Sequence, residues 1–110
     1  MKNIYLDNAA TTPLRPEVIH TMVDVLQHDF GNPSSTHSFG RSSKSILETS
    51  RKTIAKHLNC SAQEIIFTAN ATEGTNWILR EMVKNNGIKK VITSKIEHHA
   101  TLYTVLNLQK

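Results

Sequence analysis

A single cysteine, Cys60, stands in a chain of 110 residues. No intramolecular disulfide can form, and no cysteine-rich metal site. Cys60 lies in Leu58-Asn59-Cys60-Ser61, at an expected helix end, and reads as a small structural residue rather than a nucleophile. Aromatic residues are also scarce: one Trp, two Tyr and three Phe. None is interleaved with the basic residues, so the net charge of +4 comes without a stacking platform for nucleic acid. The basic residues between Arg41 and Lys56, with Lys84, Lys89, Lys90 and Lys95, read as solvated helix faces. No apolar run approaches the length needed to cross a bilayer. Met1-Lys2-Asn3-Ile4 passes into Tyr5-Leu6-Asp7 without the apolar region of a secretory signal. A cytoplasmic protein with neither membrane nor nucleic-acid partner is expected. Finally, neither G-x-x-x-x-G-K-[ST] nor G-x-G-x-x-G occurs, which disfavours the common nucleotide and dinucleotide loops.

What remains is a globular composition, 38% hydrophobic and 20% charged, with room for one small domain and a modest core. Ile4-Tyr5-Leu6 is a short extended piece, and the small polar run Asp7 to Pro13 is a loop. Pro16 and Glu17 suit a helix start, and Val18, Ile19, Met22, Val23 and Leu26 form its apolar stripe. Phe30-Gly31-Asn32-Pro33 breaks it, opening a polar loop that runs to Gly40. A second helix is expected from Arg41 to about Leu58, with Ile46, Leu47, Ile54, Ala55 and Leu58 inward. Gln63-Glu64 then leads into a strand at Ile65-Ile66-Phe67. A third helix carries Ile78, Leu79, Met82 and Val83 and stops at Asn85-Asn86-Gly87. Lys89 to Ser94 reads as another strand, and Thr101 to Lys110 as a last helix. Strand, helix, strand makes a βαβ unit with parallel strands and a right-handed crossover.

Ligands in such sheets bind at the carboxyl ends of the strands. That rule brings Ala69 to Thr72 and Ser94 to His99 to one rim. Asn70 with Glu73 resembles a capping pair, so the third helix should start near Asn70 to Thr72. Its first N–H groups and the helix dipole make a natural phosphate cradle, to which the Thr72 hydroxyl adds a donor. An ordinary capped turn accounts for the same residues. On the opposite side of the rim, Glu97-His98-His99 carries two imidazoles. Adjacent histidines rarely converge on one metal ion, so an acid/base or ring-stacking role suits them better, with plain solvent exposure as the alternative. A Ser34 or Ser35 pairing with His37 lacks the elbow motif of a nucleophilic serine.

Four motifs then fall in register: Tyr5-Leu6-Asp7-Asn8-Ala9-Ala10-Thr11-Thr12, Gly31-Asn32-Pro33-Ser34-Ser35-Thr36-His37, Phe67-Thr68-Ala69-Asn70-Ala71-Thr72-Glu73-Gly74-Thr75-Asn76, and Ile92-Thr93-Ser94-Lys95-Ile96-Glu97-His98-His99-Ala100. Together they resemble the N-terminal part of NifS/IscS-type cysteine desulfurases, class V, fold-type I enzymes that depend on pyridoxal 5'-phosphate. The resemblance covers nearly the whole chain. It implies an α/β fold, the start of a large domain that is a three-layer α/β/α in the complete enzyme. Residues 1–15 would contribute to the small domain and residues 16–110 to the cofactor-binding large domain.

The implied reaction converts L-cysteine to L-alanine and leaves the sulfur as an enzyme persulfide for iron–sulfur cluster or thio-cofactor synthesis. The implied partners are L-cysteine, sulfur-acceptor or scaffold proteins, and a second copy in a homodimer. By the same resemblance, Ala71 and Thr72 hold the cofactor phosphate. His98 stacks on the pyridine ring and assists proton transfer, with His99 as its neighbour. The Asp7–Thr12 and Gly31–His37 loops border the active site or the dimer partner. One departure is Asn70, where the family commonly has glycine; asparagine best tolerates the left-handed conformation such a turn could need. The cofactor-anchoring lysine and the nucleophilic cysteine of the family match no residue here, so an inactive fragment of a longer enzyme is implied. Another class V enzyme (a selenocysteine lyase or an aminotransferase) or a stand-alone interaction module derived from one are the alternatives.

Overall fold

The computed structural model describes residues 3–109. Met1 and Lys2, at the head of the segment assigned to the small domain, and Lys110, at the end of the expected last helix, lie outside the described residues. The chain divides between Ile65 and Ile66 into two compact units.

In the first unit, α1 spans Pro16–His28, with proline in its first turn and Glu17 beside it. Both suit a helix start, where the missing N–H is harmless and negative charge meets the dipole. Its apolar stripe forms as expected but stays open: α1 packs on no other helix among the described residues, and Leu26 is 73% exposed.

The second helix, α2, spans Ser38–Leu58, three residues longer at its start than the sequence suggests. Gly40 looked like part of the loop; it is instead buried in the first turn, where a methyl group would overlap the Ser35 and Asn32 carbonyl oxygens. His37 caps this turn, its Nδ1 accepting the Gly40 N–H at 3.4 Å. Ser43 donates to the Asp29 carbonyl at 2.7 Å, and Ser42 to the Asp29 carboxylate, fastening the loop to α2. At the other end Asn59 takes the left-handed conformation, φ 53°, a position that glycine and asparagine fill most easily.

Ser61 to Glu64 does not run straight into a strand. It winds a 3₁₀ turn, Ala62–Glu64, closed by a reciprocal capping box in which Glu64 accepts the Ser61 N–H at 2.7 Å. Arg51 of α2 donates to the Ile65 carbonyl just beyond it. Of the residues expected inward, Ala55 is buried and Ile46 and Leu47 are half-buried, whereas Ile54 and Leu58 remain exposed.

In the second unit, α3 (Ala71–Lys84) and α4 (His99–Leu108) pack on each other. Gly87, φ 68°, ends α3 as the sequence predicts, and the Ile88 N–H reaches back to the Met82 carbonyl at 3.1 Å. The expected pairing of Ile65–Phe67 with Lys89–Ser94 is not formed: no strand ladder exists among the described residues. A parallel strand pair is stable when it lies inside a sheet covered on both faces. Here Ile66, Phe67 and Ile92 are exposed, and among the described residues neither segment has a strand beside it. Among the described residues, no helix is long and apolar enough to cross a membrane.

Candidate functional site

The chemistry-bearing residues gather where α3 and α4 begin. Asn70 caps α3: its Oδ1 accepts the Glu73 N–H at 2.9 Å, and Glu73 returns the favour by accepting the Ala69 N–H at 2.6 Å. This is the capping pair expected from the sequence. The left-handed conformation is not used, because Asn70 lies at φ −166° and ψ 172°, extended backbone open to any residue. Asparagine stands here as a cap, not as a substitute for glycine. Gly74 donates to the Asn70 carbonyl at 3.3 Å. Two donors are left over. Among the described residues no acceptor meets the N–H groups of Ala71 and Thr72, which lie on the positive end of the helix.

At the head of α4, His98 is itself the cap. Its Nδ1 accepts the Ala100 N–H at 3.1 Å. A ring nitrogen that accepts must carry its lone pair there, so the neutral imidazole holds its proton on Nε2. His99 is engaged differently, stacked on Tyr103 with centroids 5.0 Å apart and planes 18° from parallel. His98 meets His99 only in a tilted contact at 6.3 Å. Of the two imidazoles, His98 is the one with a ring face and a proton available to a ligand.

Both helix starts open on one cleft of about 360 Å³, lined by Thr72 and Arg80 of α3 and by His98, His99 and Tyr103 of α4 among others. Thr72 and His98, placed on one rim by the strand-end rule, are brought together even though the strands themselves are unpaired. Ala71, the other residue expected at the phosphate, does not line the cleft; its N–H lies beside that of Thr72 in the first turn of α3. The donor set fits a phosphate joined to a flat ring: two unpartnered N–H groups and a hydroxyl at one end, an exposed imidazole at the other. No lysine lines the cleft.

Asn76 and Thr104 are among the cleft residues that sequence reasoning missed. Asn76 Nδ2 donates to the Thr72 carbonyl at 2.9 Å, and Thr104 donates to Asn76 Oδ1 at 2.6 Å. The one available signal was a polar side chain one turn after Thr72. The remaining motifs fall in the first unit. Tyr5 and Thr11 share a hydrogen bond of 2.6 Å across the Asp7 turn, and Asn32 Oδ1 accepts the Ser34 N–H at 2.9 Å. His37 is occupied as the α2 cap, and no Ser–His hydrogen bond forms among the described residues.

The chain is similar to known proteins along nearly its whole length. A cysteine desulfurase IscS from Dictyoglomus turgidum is 45% identical over 99% of this chain and 28% of its own length. A selenocysteine lyase from Bos taurus is 40% identical over 76% of this chain and 19% of its own. Among solved structures, a NifS-like protein superposes with a TM-score of 0.86 at 38% identity, over 93% of this chain and 28% of that one. This similarity bears out the α/β, fold-type I architecture expected from the sequence, the described residues supplying its helices. The chain spans little more than a quarter of the relatives it matches most fully. The aminotransferase class-V family pattern aligns along residues 4–110, from the first extended segment through both helix starts that form the cleft, and this chain therefore belongs to that family.

Proposed function

We propose that this chain is the phosphate- and ring-binding part of a pyridoxal-phosphate-dependent cysteine desulfurase. The observation that carries the reading is the single cleft shared by Thr72 and His98. In the proposed reaction L-cysteine and an enzyme thiol yield L-alanine and an enzyme persulfide, whose sulfur passes to acceptor or scaffold proteins for iron–sulfur cluster or thio-cofactor synthesis. Pyridoxal phosphate, when bound, supplies an electron sink for the substrate's Cα.

This chain's own residues then have distinct tasks. The N–H groups of Ala71 and Thr72 bind the phosphate at the positive end of α3, and the Thr72 hydroxyl donates a further bond. His98 lays its ring on the pyridine face, which fixes the ring's tilt. Its Nε2 holds the proton of the neutral imidazole and is the atom at which a proton is exchanged with the substrate. Nδ1 is committed to the Ala100 N–H, so the exchange is confined to one nitrogen.

A homodimer in the cytoplasm accompanies this proposal. The test uses the full-length protein carrying this segment. Bound cofactor is measured after dialysis, and alanine and sulfide are followed with L-cysteine as substrate. Stoichiometric cofactor with cysteine-dependent alanine release is expected. The similarity to a selenocysteine lyase favours one competing reading, in which L-selenocysteine is turned over and L-cysteine is not; that outcome would replace the desulfurase assignment.

A further inference from the structure

We propose that Asn76 is a positioning residue that holds the phosphate-binding turn and the His98 ring at a fixed spacing. The inference rests on the pyridoxal-phosphate reading above. Thr72 and His98 sit at the starts of different helices, and the chain between them, residues 85–98, has no regular secondary structure. Their separation is set by how α3 and α4 pack, not by the chain that joins them. Apolar contact between helices is non-directional and tolerates sliding. A hydrogen bond does not.

Asn76 makes two, and each points at one half of the site. Its Nδ2 donates to the Thr72 carbonyl at 2.9 Å. Its Oδ1 accepts the Thr104 hydroxyl at 2.6 Å, the one side-chain hydrogen bond between α3 and α4 among the described residues. Thr104 is 3% exposed, so water competes little for this bond. With the amide nitrogen committed to Thr72, only the oxygen is presented to α4, and the Thr104 hydroxyl must donate. The pair therefore fixes both the distance and the rotation of α4 on α3. His98 lies some one and a half turns from Thr104 by helical geometry, and Thr72 one turn from Asn76. Losing either bond should let the imidazole drift relative to the phosphate while leaving both caps intact.

The experiment uses full-length protein with the variants Thr104→Val, Thr104→Ser, Asn76→Leu and Asn76→Leu/Thr104→Val. Cofactor-free protein is titrated with pyridoxal phosphate, and binding is followed by visible absorption. Hydrogen exchange is measured across residues 71–76 and 98–104. Thr104→Val, which keeps the side-chain shape and loses one neutral hydrogen bond, should weaken cofactor binding by roughly three- to ten-fold, and Asn76→Leu, which loses both bonds, should weaken it by at least as much. The double variant should be no weaker than the worse single one, and Thr104→Ser should restore binding. Exchange should quicken in both segments together. Faster exchange or a lower melting temperature with unchanged cofactor affinity would make the link merely structural and overturn the inference. Failure of the unsubstituted protein to bind cofactor would overturn the proposed function and this inference with it, whereas normal binding in every variant would overturn the inference alone.

Discussion

Replacing Thr72 with valine separates ligand binding from folding more cleanly than any other change in the cleft. Thr72 is exposed, and among the described residues its hydroxyl makes no hydrogen bond. The two side chains share shape and have similar helix propensity. Folding therefore loses almost nothing when the hydroxyl becomes a methyl group. Binding of a phosphate loses one charge-assisted hydrogen bond, worth about 1–3 kcal/mol. At 1.4 kcal/mol per tenfold, cofactor affinity should fall by about 5- to 150-fold. It should not vanish, because the Ala71 and Thr72 N–H groups and the α3 dipole remain. Thr72→Ser keeps the hydroxyl and should bind within a few-fold of the parent. Equilibrium titration of the full-length apoprotein gives the affinity, and urea unfolding gives the stability. Unchanged affinity with unchanged stability would refute the cradle at α3 and leave its first turn as an ordinary cap.

Three further outcomes follow from the same geometry. In the full-length protein, His98→Ala should reduce turnover by about 10²- to 10⁴-fold, the usual worth of a positioned acid/base, while cofactor remains bound through the phosphate. Because His98 also caps α4, His98→Asn should recover stability but not turnover; unchanged turnover in either variant removes the role. Gly40→Ala should destabilise the protein by about 1–3 kcal/mol through overlap with the Ser35 and Asn32 carbonyls, and an unchanged urea midpoint would show that the loop can yield. The 110-residue chain by itself should melt without a cooperative transition, since Ala55 is the one buried hydrophobic residue described. A sharp thermal transition monitored by circular dichroism would contradict this.

What could be read from the sequence was what the chain decides locally. Proline at the start of α1, the Asn70–Glu73 pair at α3 and Gly87 after it each act within a few residues, so their consequences survive whatever surrounds them. The strands expected at Ile65–Phe67 and Lys89–Ser94 depend on partners far along the sheet, and the pattern that marks them carries no information about whether those partners are present. Gly40 misled for the opposite reason. Glycine ordinarily punctuates a loop, yet here a close approach of the Ser35 and Asn32 carbonyls demands it inside a helix. The α3–α4 link was illegible because it joins Asn76 to Thr104 across 28 positions, a distance over which spacing rules say nothing.

The same caps that made the helices legible also make the site. Asn70 takes up the Glu73 N–H and so leaves the donors of Ala71 and Thr72 as the ones facing outward. His98, which lines the cleft, closes α4 with Nδ1 and so keeps Nε2 as its uncommitted nitrogen. A residue that starts a helix is held by the first turn in one rotamer and one tautomer, which is what a group that must meet a ligand in fixed orientation requires. His37 shows that capping is not sufficient. It closes α2 by the same Nδ1 acceptance, at a longer 3.4 Å, but its ring makes an edge contact with Phe39 at 6.3 Å, and no hydroxyl or unpaired N–H of a neighbouring helix start is joined to it among the described residues. Function at a helix start needs a second start aimed at the same space. In this chain that second start is supplied where α3 and α4 pack, through Asn76.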